Sequence, residues 1–388
     1  MENFRYISYR LSSLIRTAVL LYNKVTAHTS FPFTEMAPTN VLITGVTGYI
    51  GGSVLSHLLS SRNPATKDLK ISVLTRNDDR AKSFASVNLK VYTINNLDDT
   101  TAITTAASEN DVVIHTASGY HPASAKALIE GLAKRKQQNP NEEVYYIHTS
   151  GTSNLADRPI TKTYLESRTF SDKDRDIYAY LKKREEIEQY PQRTTDLVVV
   201  ETGKKGNVPT TIIMSPTIYG LGSGKFNRLT LQYPAQMRSV LKEGRADYVG
   251  DGKGVWDYVH VLDLVELYEI VLLNWIDRRR RFPVGEEGII FSGTGTFTWK
   301  EVAEGITKAG FEMGKLKDAE TRSVSLEEAA RKWVGGDEQL CELGLASNAR
   351  TRAEIGKELG WRPTRTREDW EQSFRDEFEE VLKKQEIL

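Results

Sequence analysis

Tyr178 and Lys182 are the residues whose types and spacing most directly suggest chemistry, since they lie four positions apart in Tyr178-Ala-Tyr-Leu-Lys182. On a helix, this spacing places both side chains on one face. An unperturbed tyrosine has a pKa of ~10, and a neighbouring ammonium lowers that pKa by stabilising the phenolate. The pair is therefore predicted to exchange a proton with a substrate oxygen at neutral pH.

A cluster of hydroxyl side chains precedes this pair, in His148-Thr-Ser150-Gly-Thr152-Ser153. A hydroxyl from this cluster is expected to lie beside Tyr178 and to polarise a substrate carbonyl. Ser150 and Thr152 are both candidates, and the sequence leaves the choice between them open. His148 is interpreted as a strand residue with a satisfied hydrogen bond.

Three glycines at three-residue spacing follow the first apolar run of the chain. In a strand-to-helix turn, the first glycine permits the bend, the second lets a pyrophosphate approach, and the third lets the helix pack closely on the strand. The start of the helix adds unpaired N–H groups and about half a positive charge. The turn is predicted to bind a dinucleotide through Thr44, Gly45, Thr47, Gly48, Tyr49, Ile50 and Gly51.

The end of the second predicted strand, Val73-Leu-Thr-Arg76, lacks the carboxylate that usually binds the ribose hydroxyls of NAD. Arg76 instead offers a planar guanidinium that suits a 2′-phosphate. NADP(H) is therefore the preferred cofactor, with NAD(H) possible. Residues after the third and fourth strands are also expected to face the cofactor: Asn96, Leu97, Thr116, Ala117 and Ser118.

These side chains need a scaffold in which strands and helices alternate. Near-continuous Val, Ile and Leu strands separated by helices are typical of a parallel sheet covered on both faces. The sequence predicts an α/β, doubly wound, Rossmann-like sheet with a smaller, mostly helical C-terminal substrate subdomain. Five strands are predicted at Asn40–Thr44, Leu69–Thr75, Lys90–Ile94, Asp111–Thr116 and Glu143–Thr149.

The segment after the fifth strand is predicted to begin with a charged helix from Asp172 to about Tyr190. An apolar run at Leu197–Val200 and a turn at 203–206 are expected next. The following strand is predicted at Thr210–Met214.

The amino-acid composition argues against several classes of binding protein and of binding site. The chain of 388 residues carries 52 Lys and Arg against 52 Asp and Glu, so bulk electrostatic binding of nucleic acid or anionic membranes is not expected. The single cysteine, Cys341, excludes an intramolecular disulfide, and no metal site is expected. The predicted partner is a small-molecule substrate, with no nucleic acid and no membrane. A cytoplasmic monomer or homodimer is predicted.

Residues 1–35 differ from the rest, with Arg5, Arg10, Arg16 and Lys24 opposed only by two acidic residues. This pattern is interpreted as an extension before a natural start at Met36, or as a mitochondrial presequence. The predicted organisation is an extension at 1–36, a dinucleotide-binding domain at 37–215, and a substrate-binding subdomain at 216–388 that is partly interleaved with the first.

Several motifs in order make the chain resemble the short-chain dehydrogenase/reductase superfamily in its extended, epimerase/dehydratase-like form. The resemblance covers about residues 40–385. It rests on TGxxGxxG at Thr44–Gly51, DVVIHTAS at Asp111–Ser118, YxxxK at Tyr178–Lys182, SPTIYG at Ser215–Gly220, WDYVHVLDL at Trp256–Leu264 and LGWRP at Leu359–Pro363.

The resemblance implies that Tyr178 is the catalytic acid/base and that Lys182 also holds the nicotinamide ribose. It also implies that Pro216 and Ile218 line the nicotinamide side. Two departures from the family pattern are Gly151, at the third position of the hydroxyl cluster, and Trp256, where sugar-nucleotide epimerases usually carry an arginine. A pocket rim of Tyr120, Tyr219 and Trp256 is therefore expected to favour a less polar carbonyl compound.

The leading hypothesis is an NADP(H)-dependent oxidoreductase for an aldehyde, ketone or secondary alcohol. A second hypothesis is an epimerase or dehydratase that uses bound NAD(P) transiently. A third is a non-catalytic regulator that senses NAD(P).

Overall fold

A seven-stranded parallel sheet organises the first half of the molecule. The computed structural model describes residues 39–76, 79–277 and 283–386. Strands within these ranges are β1 (Asn40–Thr44), β2 (Lys70–Arg76), β3 (Lys90–Ile94), β4 (Val112–His115), β5 (Tyr145–Gly151), β6 (Phe170–Ser171), β7 (Thr210–Ser215), β8 (Thr217–Tyr219), β9 (Ala246–Val249), β10 (Val255–His260), β11 (Ile289–Phe291), β12 (Gly295–Thr298), β13 (Thr321–Val324) and β14 (Thr351–Arg352).

The α-helices cover both faces of this sheet and build most of the second half. They are α1 (Tyr49–Ser60), α2 (Asp79–Ala85), α3 (Thr100–Ser108), α4 (Pro122–Gln138), α5 (Ile177–Ile187), α6 (Pro191–Gly206), α7 (Gln232–Glu243), α8 (Val261–Asp277), α9 (Trp299–Glu312), α10 (Leu326–Trp333), α11 (Glu338–Leu345), α12 (Ile355–Glu358) and α13 (Arg367–Glu386).

The order of strands in the main sheet is β11-β7-β5-β4-β1-β2-β3, with every neighbouring pair parallel. The chain first builds outward from β1 to β3 and then returns to build from β4 to β11. Ligands of such sheets bind outside the carboxyl ends of the strands at this reversal, between β1 and β4. The predicted Rossmann-like α/β class is confirmed.

Burial explains why these strands form the centre. Val41, Leu42 and Ile43 of β1 and Val113 and Ile114 of β4 have no solvent exposure. Strands enclosed on both faces by helices need apolar residues at successive positions, which is why the sequence shows runs rather than alternation.

The crossover from β5 to β7 differs from the prediction. The predicted helix from Asp172 to Tyr190 is only α5, Ile177–Ile187. A second helix, α6, absorbs the apolar run and the turn expected at 197–206. Pro191 lies at the start of α6, where its fixed φ suits a helix, and Asn207 ends it in the left-handed conformation.

The second half forms its own hydrophobic core. It is rich in aromatic side chains, including Tyr233, Trp299, Trp370 and Phe374. Two small sheets, β12-β10-β8 and β13-β9, contribute to it, whereas a third, β14-β6, places Phe170 in the core of the main sheet. Two elements of this half, α8 and β11, belong instead to the core of the main sheet.

The predicted extension, residues 1–36, lies outside the residues that the structure describes. Among the helices of the described ranges, none is both long and apolar enough to cross a membrane. The same ranges contain no group of three or more His, Cys, Asp or Glu side chains arranged to hold a metal ion.

Candidate active site

The glycine turn between β1 and α1 is built so that only glycine fits. Gly45 has a φ of +69°, and a Cβ there would lie 2.6 Å from the backbone carbonyl carbon of Thr116. A Cβ on Gly51 would lie 2.5 Å from the carbonyl oxygen of Gly45. α1 begins directly after Gly48, with no side-chain cap and no acidic residue in its first turn. Its first N–H groups are therefore available to an anion.

Side chains around the turn brace it. The Thr116 hydroxyl donates to the carbonyl oxygen of Thr44 at 2.6 Å, and the Thr116 N–H donates to the Thr44 hydroxyl at 3.2 Å. The phenol of Tyr49 points away and donates to the carbonyl oxygen of Gly220 at 2.6 Å. Thr44 and Tyr49 thus support the turn through their side chains and leave its backbone to a ligand.

The other residues predicted to contact the cofactor lie at the same edge of the sheet, because parallel strands bring their carboxyl ends together. Arg76 is the exposed last residue of β2. Pro216 is buried directly after β7, and Ile218 is half-buried in β8. The remaining positions follow their strands at the same edge: Asn96, Leu97, Thr116, Ala117 and Ser118.

Tyr178 and Lys182 do not join this edge. The Tyr178 hydroxyl donates to Glu201 Oε1 at 3.2 Å, and Lys182 Nζ lies 4.0 Å from the same oxygen. α6 runs from the carboxyl edge to the amino edge, because it links the end of β5 to the start of β7. Glu201 follows Tyr190, the residue before α6, by eleven positions, or about 16 Å along the helix axis. The structure therefore separates this pair from the hydroxyl cluster that was expected beside it.

The expected effect of Lys182 on Tyr178 also requires correction. Burial, followed by the carboxylate of Glu201, raises the pKa of Tyr178 above its ordinary value instead of lowering it. Lys182 is exposed, and its Nζ lies 5.9 Å from the centre of the Tyr178 ring. A partly solvated cation at that distance is a weak stabiliser of a phenolate.

α6, not α5, presents side chains to the carboxyl end of β5. Gln192 and Asp196 lie four residues apart on its inner face, the spacing that was expected for Tyr178 and Lys182. The Ser153 hydroxyl donates to Gln192 Oε1 at 2.6 Å, and the Ser150 hydroxyl donates to Asp196 Oδ2 at 2.7 Å. An amide and a carboxyl group therefore lie where a phenol and an ammonium were predicted.

A chain of three hydroxyls leads from Ser153 through Tyr190 to Tyr120. The Tyr190 hydroxyl donates to Ser153 Oγ at 3.3 Å, and the Tyr120 hydroxyl lies 3.1 Å from that of Tyr190. Tyr190 is 2% exposed, whereas Tyr120 is 43% exposed. Burial raises the pKa of Tyr190 well above its ordinary value, so its hydroxyl keeps its proton at neutral pH.

Beneath the hydroxyls lies a buried polar group centred on Asp196. Asn154 Nδ2 donates to Asp196 Oδ2 at 2.6 Å, while Asp196 Oδ1 has no hydrogen-bond partner among the described residues and lies 3.6 Å from His148 Nε2. Burial raises the pKa of Asp196 to about 7 and lowers that of His148. The expected hydrogen bond of His148 is found at one nitrogen: its Nδ1 lies 3.3 Å from the Tyr146 hydroxyl, while its Nε2 has no partner in the part of the chain that the structure describes.

The two candidates for the catalytic hydroxyl have different surroundings. Ser150 is held by Asp196 and Asn154, so its proton is already directed into the protein. Thr152 is fully buried, and its Oγ1 has no partner within the described residues. Neither contacts Tyr178.

Of the three residues predicted to form an aromatic pocket rim, Tyr120 is exposed near the carboxyl end of β4, whereas Trp256 and Tyr219 are buried. Trp256 is 3% exposed, and its Nε1 donates to Ser347 Oγ at 3.0 Å within the second core. Tyr219 has no exposure and packs edge-to-face on Tyr258. Both rings are core residues because β8 and β10 pair at the centre of the second half.

Two of the motifs that carry the resemblance prove to be structural. Asp263, in WDYVHVLDL, accepts hydrogen bonds from the N–H groups of Thr364 and Arg365 at 3.1 and 3.0 Å. Trp361, in LGWRP, donates from its indole to the carbonyl oxygen of Asp263 at 2.7 Å. These contacts join α8 to the chain that leads into α13.

Sequence reasoning missed Tyr190, Ser153, Gln192 and Asp196. The available signal was Pro191, a typical first residue of a helix. Reading a helix onward from Pro191 would have placed Gln192 and Asp196 on one face.

Comparisons with known proteins agree with this architecture. Residues 41–285 match the model of the NAD dependent epimerase/dehydratase family. The chain is 26% identical over 338 residues to "Oxidase ucsJ" of Acremonium sp, covering 83% of this chain and 92% of the relative. It is 25% identical over 333 residues to "Uncharacterized protein YLL056C" of Saccharomyces cerevisiae, covering 83% of this chain and 94% of that protein.

Solved structures with the same fold include a UDP-glucose 4-epimerase of Thermotoga maritima with UDP-glucose, at a TM-score of 0.57 and 16% identity, covering 88% of this chain and 99% of that one. A dTDP-glucose 4,6-dehydratase of Bacillus anthracis in complex with NAD gives a TM-score of 0.59 at 18% identity, covering 90% and 98%. At these identities, the likeness concerns the fold. Since the family model spans most of the sheet together with the glycine turn, the chain belongs to the NAD dependent epimerase/dehydratase family.

Proposed function

We propose that the chain is an NADP(H)-dependent oxidoreductase that interconverts an aldehyde or ketone with the corresponding alcohol. The observation that carries the proposal is the placement, at one edge of the sheet, of a glycine turn with unused N–H groups and the hydroxyl chain Tyr120–Tyr190–Ser153. The relative named an oxidase and the nicotinamide-dependent family support redox chemistry.

The residues at this edge fit a nicotinamide dinucleotide. A Cβ at Gly45 or Gly51 would fill the turn, and among the residues that the structure describes no side chain caps the start of α1. The first N–H groups of α1 would hold the pyrophosphate, and Arg76 would hold the 2′-phosphate. When bound, the cofactor supplies or accepts the hydride.

Tyr190 performs the proton step in this proposal. Its hydroxyl is neutral, so during reduction it donates its proton to the carbonyl oxygen as the carbonyl carbon becomes that of an alcohol. Tyr120, in hydrogen-bond contact and partly exposed, returns a proton to Tyr190 from solvent. Burial makes the Tyr190 phenolate costly, and the guanidinium of Arg193, 5.7 Å from the centre of the Tyr190 ring, offsets part of that cost when the proton leaves.

The proposal is tested by incubating the protein with NADPH or NADH and a panel of aldehydes and ketones. We expect NADPH consumption with formation of one mole of alcohol per mole of NADPH consumed, and a loss of NADPH preference in Arg76→Ala. Isomerised or dehydrated product without net NADPH consumption would show an epimerase or dehydratase instead. Binding of NADPH with no turnover across a broad panel would favour the sensing hypothesis.

A further inference from the structure

A glycine-rich loop from the second half of the chain lies on the helix that starts at the glycine turn. This loop, residues 220–226 (Gly220-Leu-Gly-Ser-Gly-Lys-Phe226), follows β8. The Ser223 N–H donates to Ser53 Oγ of α1 at 3.1 Å. A Cβ on Gly224 would lie 2.9 Å from the Cα of Gly52. The two backbones thus meet more closely than any side chain at Gly224 would permit.

The same loop also contacts the element that follows β2. The rings of Phe226 and Phe84 pack edge-to-face, with their centres 5.5 Å apart. Phe84 belongs to α2, which begins three residues after Arg76. The loop therefore spans from the start of α1 to the helix beyond the end of β2.

Lys225 lies between these two anchors. Gly224, before it, rests on α1, and Phe226, after it, rests on α2. Lys225 is exposed, its Nζ lies 5.8 Å from the centre of the Phe226 ring, and it makes no ion pair with other residues that the structure describes. A flexible ammonium is thereby tethered between the turn that suits a pyrophosphate and the strand end that suits the adenosine ribose.

We propose that Lys225 is a specificity residue that binds the 2′-phosphate of NADP(H) together with Arg76. This inference rests on the proposed function, because it assumes that a dinucleotide occupies the glycine turn. A phosphate monoester carries about −1.5 to −2 charges at neutral pH, so two cations from different elements match its charge. With zero net charge over the chain, anion recognition must come from such a local pair.

The test measures binding instead of turnover. Dissociation constants for 2′,5′-ADP, which carries the 2′-phosphate, and for ADP, which lacks it, are determined by calorimetry with wild type, Lys225→Ala, Lys225→Arg and Arg76→Ala. Lys205→Ala, an exposed lysine near the end of α6, is the matched control. We expect Lys225→Ala to weaken 2′,5′-ADP binding about tenfold, the effect of one charge-assisted contact, and ADP binding less than twofold. Lys225→Arg should restore most of the loss.

The other outcomes distinguish failure of the assignment of Lys225 from failure of the proposed function. If Lys225→Ala binds 2′,5′-ADP as wild type does, the assignment of Lys225 is wrong while the proposed function stands. Equal weakening for both probes would place Lys225 at the pyrophosphate and overturn its role in specificity. If wild type binds neither probe nor NADPH, the proposed function fails and the role of Lys225 fails with it.

Discussion

Asp196 is the residue with the most unusual setting in the candidate site. It is 1% exposed, and it faces His148 and Tyr146 from β5, Asn154 from the turn after β5, and Arg193 from its own helix. Burial disfavours both the carboxylate of Asp196 and the imidazolium of His148, so the imidazole is neutral and the carboxyl group exchanges its proton near neutral pH. This pair carries no positive charge, whereas the sequence predicted the ammonium of Lys182 at this place.

The free energy of unfolding should depend on pH through the protonation of Asp196. The pKa of Asp196 is about 7 when folded, against about 3.9 when unfolded, so the folded state binds the proton more tightly. The stabilisation is complete below pH ~4 and is lost as the pH rises through about 7. We predict that the melting temperature of Asp196→Asn, minus that of wild type, rises by about 2–4 °C between pH 5 and 8, measured by differential scanning fluorimetry. A pH-independent difference would contradict the assignment.

Individual site residues could be predicted where the local sequence pattern alone suggests their role. Gly45, Gly51 and Arg76 follow from the strand–turn–helix pattern alone. The role of Tyr178 was not predictable in this way, because its spacing to Lys182 is satisfied on any helix. Only the tertiary path of the chain shows that Glu201 accepts a hydrogen bond from Tyr178.

At the scale of the element, the glycine turn gives a sharp prediction. Gly51→Ala would place a Cβ 2.5 Å from the Gly45 carbonyl oxygen and against the Thr116 side chain. The turn must then shift, and we expect NADPH binding to weaken at least about tenfold, as a loss of ~1.4 kcal/mol or more, measured by fluorescence titration.

Gly344→Ala is the matched control for this substitution. A Cβ at Gly344, in α11, meets nothing within 4 Å. Alanine in a helix is favoured over glycine by up to ~1 kcal/mol, so the control should bind NADPH normally and melt no lower than wild type. Normal binding by Gly51→Ala would show that the turn does not hold the dinucleotide.

Six of the seven strands of the main sheet were predicted to within two residues, because buried parallel strands have an unambiguous apolar pattern, whereas the edge strand β11 was not predicted. α6 was missed because Leu197–Val200 looks like a buried strand when taken alone. Gly203 then looked like a turn, whereas in the structure it lets α6 pack on Thr210. The error in one element placed α5, and with it Tyr178 and Lys182, beside the hydroxyl cluster, where the structure has α6.

At the scale of the whole molecule, a buried ion pair joins the segment between β5 and α6 to the second half. Glu342 of α11 is fully buried and accepts from Arg158 Nε at 2.5 Å. It also accepts from the N–H groups of Ile160 and Thr161 at 2.8 and 2.9 Å. Residues more than 180 positions apart are thereby held together.

Removing this carboxylate should destabilise the fold. Glu342→Ala leaves Arg158 with Glu188 as its remaining ion-pair partner among the described residues and removes the acceptor of two N–H groups. We predict a loss of about 3 kcal/mol in the free energy of unfolding, measured by urea denaturation. Glu338→Ala, an exposed position on the same helix, should change it by less than about 0.5 kcal/mol. Equal effects of both substitutions would show that the ion pair contributes nothing.

The overall architecture was predictable to the level of the Rossmann-like sheet and a helical second half. The shape of the pocket was not, because it depends on which aromatic rings β8 and β10 bury. Trp256 and Tyr219 read as candidate pocket residues in the sequence but fill the second core in the fold. Whether such a ring lines a pocket or fills a core depends on contacts between residues far apart in the chain, and local sequence patterns do not show these contacts.

We propose that proton transfer occurs at Tyr190 on the carboxyl edge of the sheet, and not at Tyr178. The most direct test compares single-turnover reduction of a carbonyl substrate by NADPH in wild type, Tyr190→Phe and Tyr178→Phe. We expect Tyr190→Phe to slow the reaction by about 10²–10⁴-fold, the usual contribution of a positioned general acid, and Tyr178→Phe to react within twofold of wild type. Loss of activity in Tyr178→Phe, with Tyr190→Phe unaffected, would contradict the claim and return the proton step to the Tyr178–Lys182 pair.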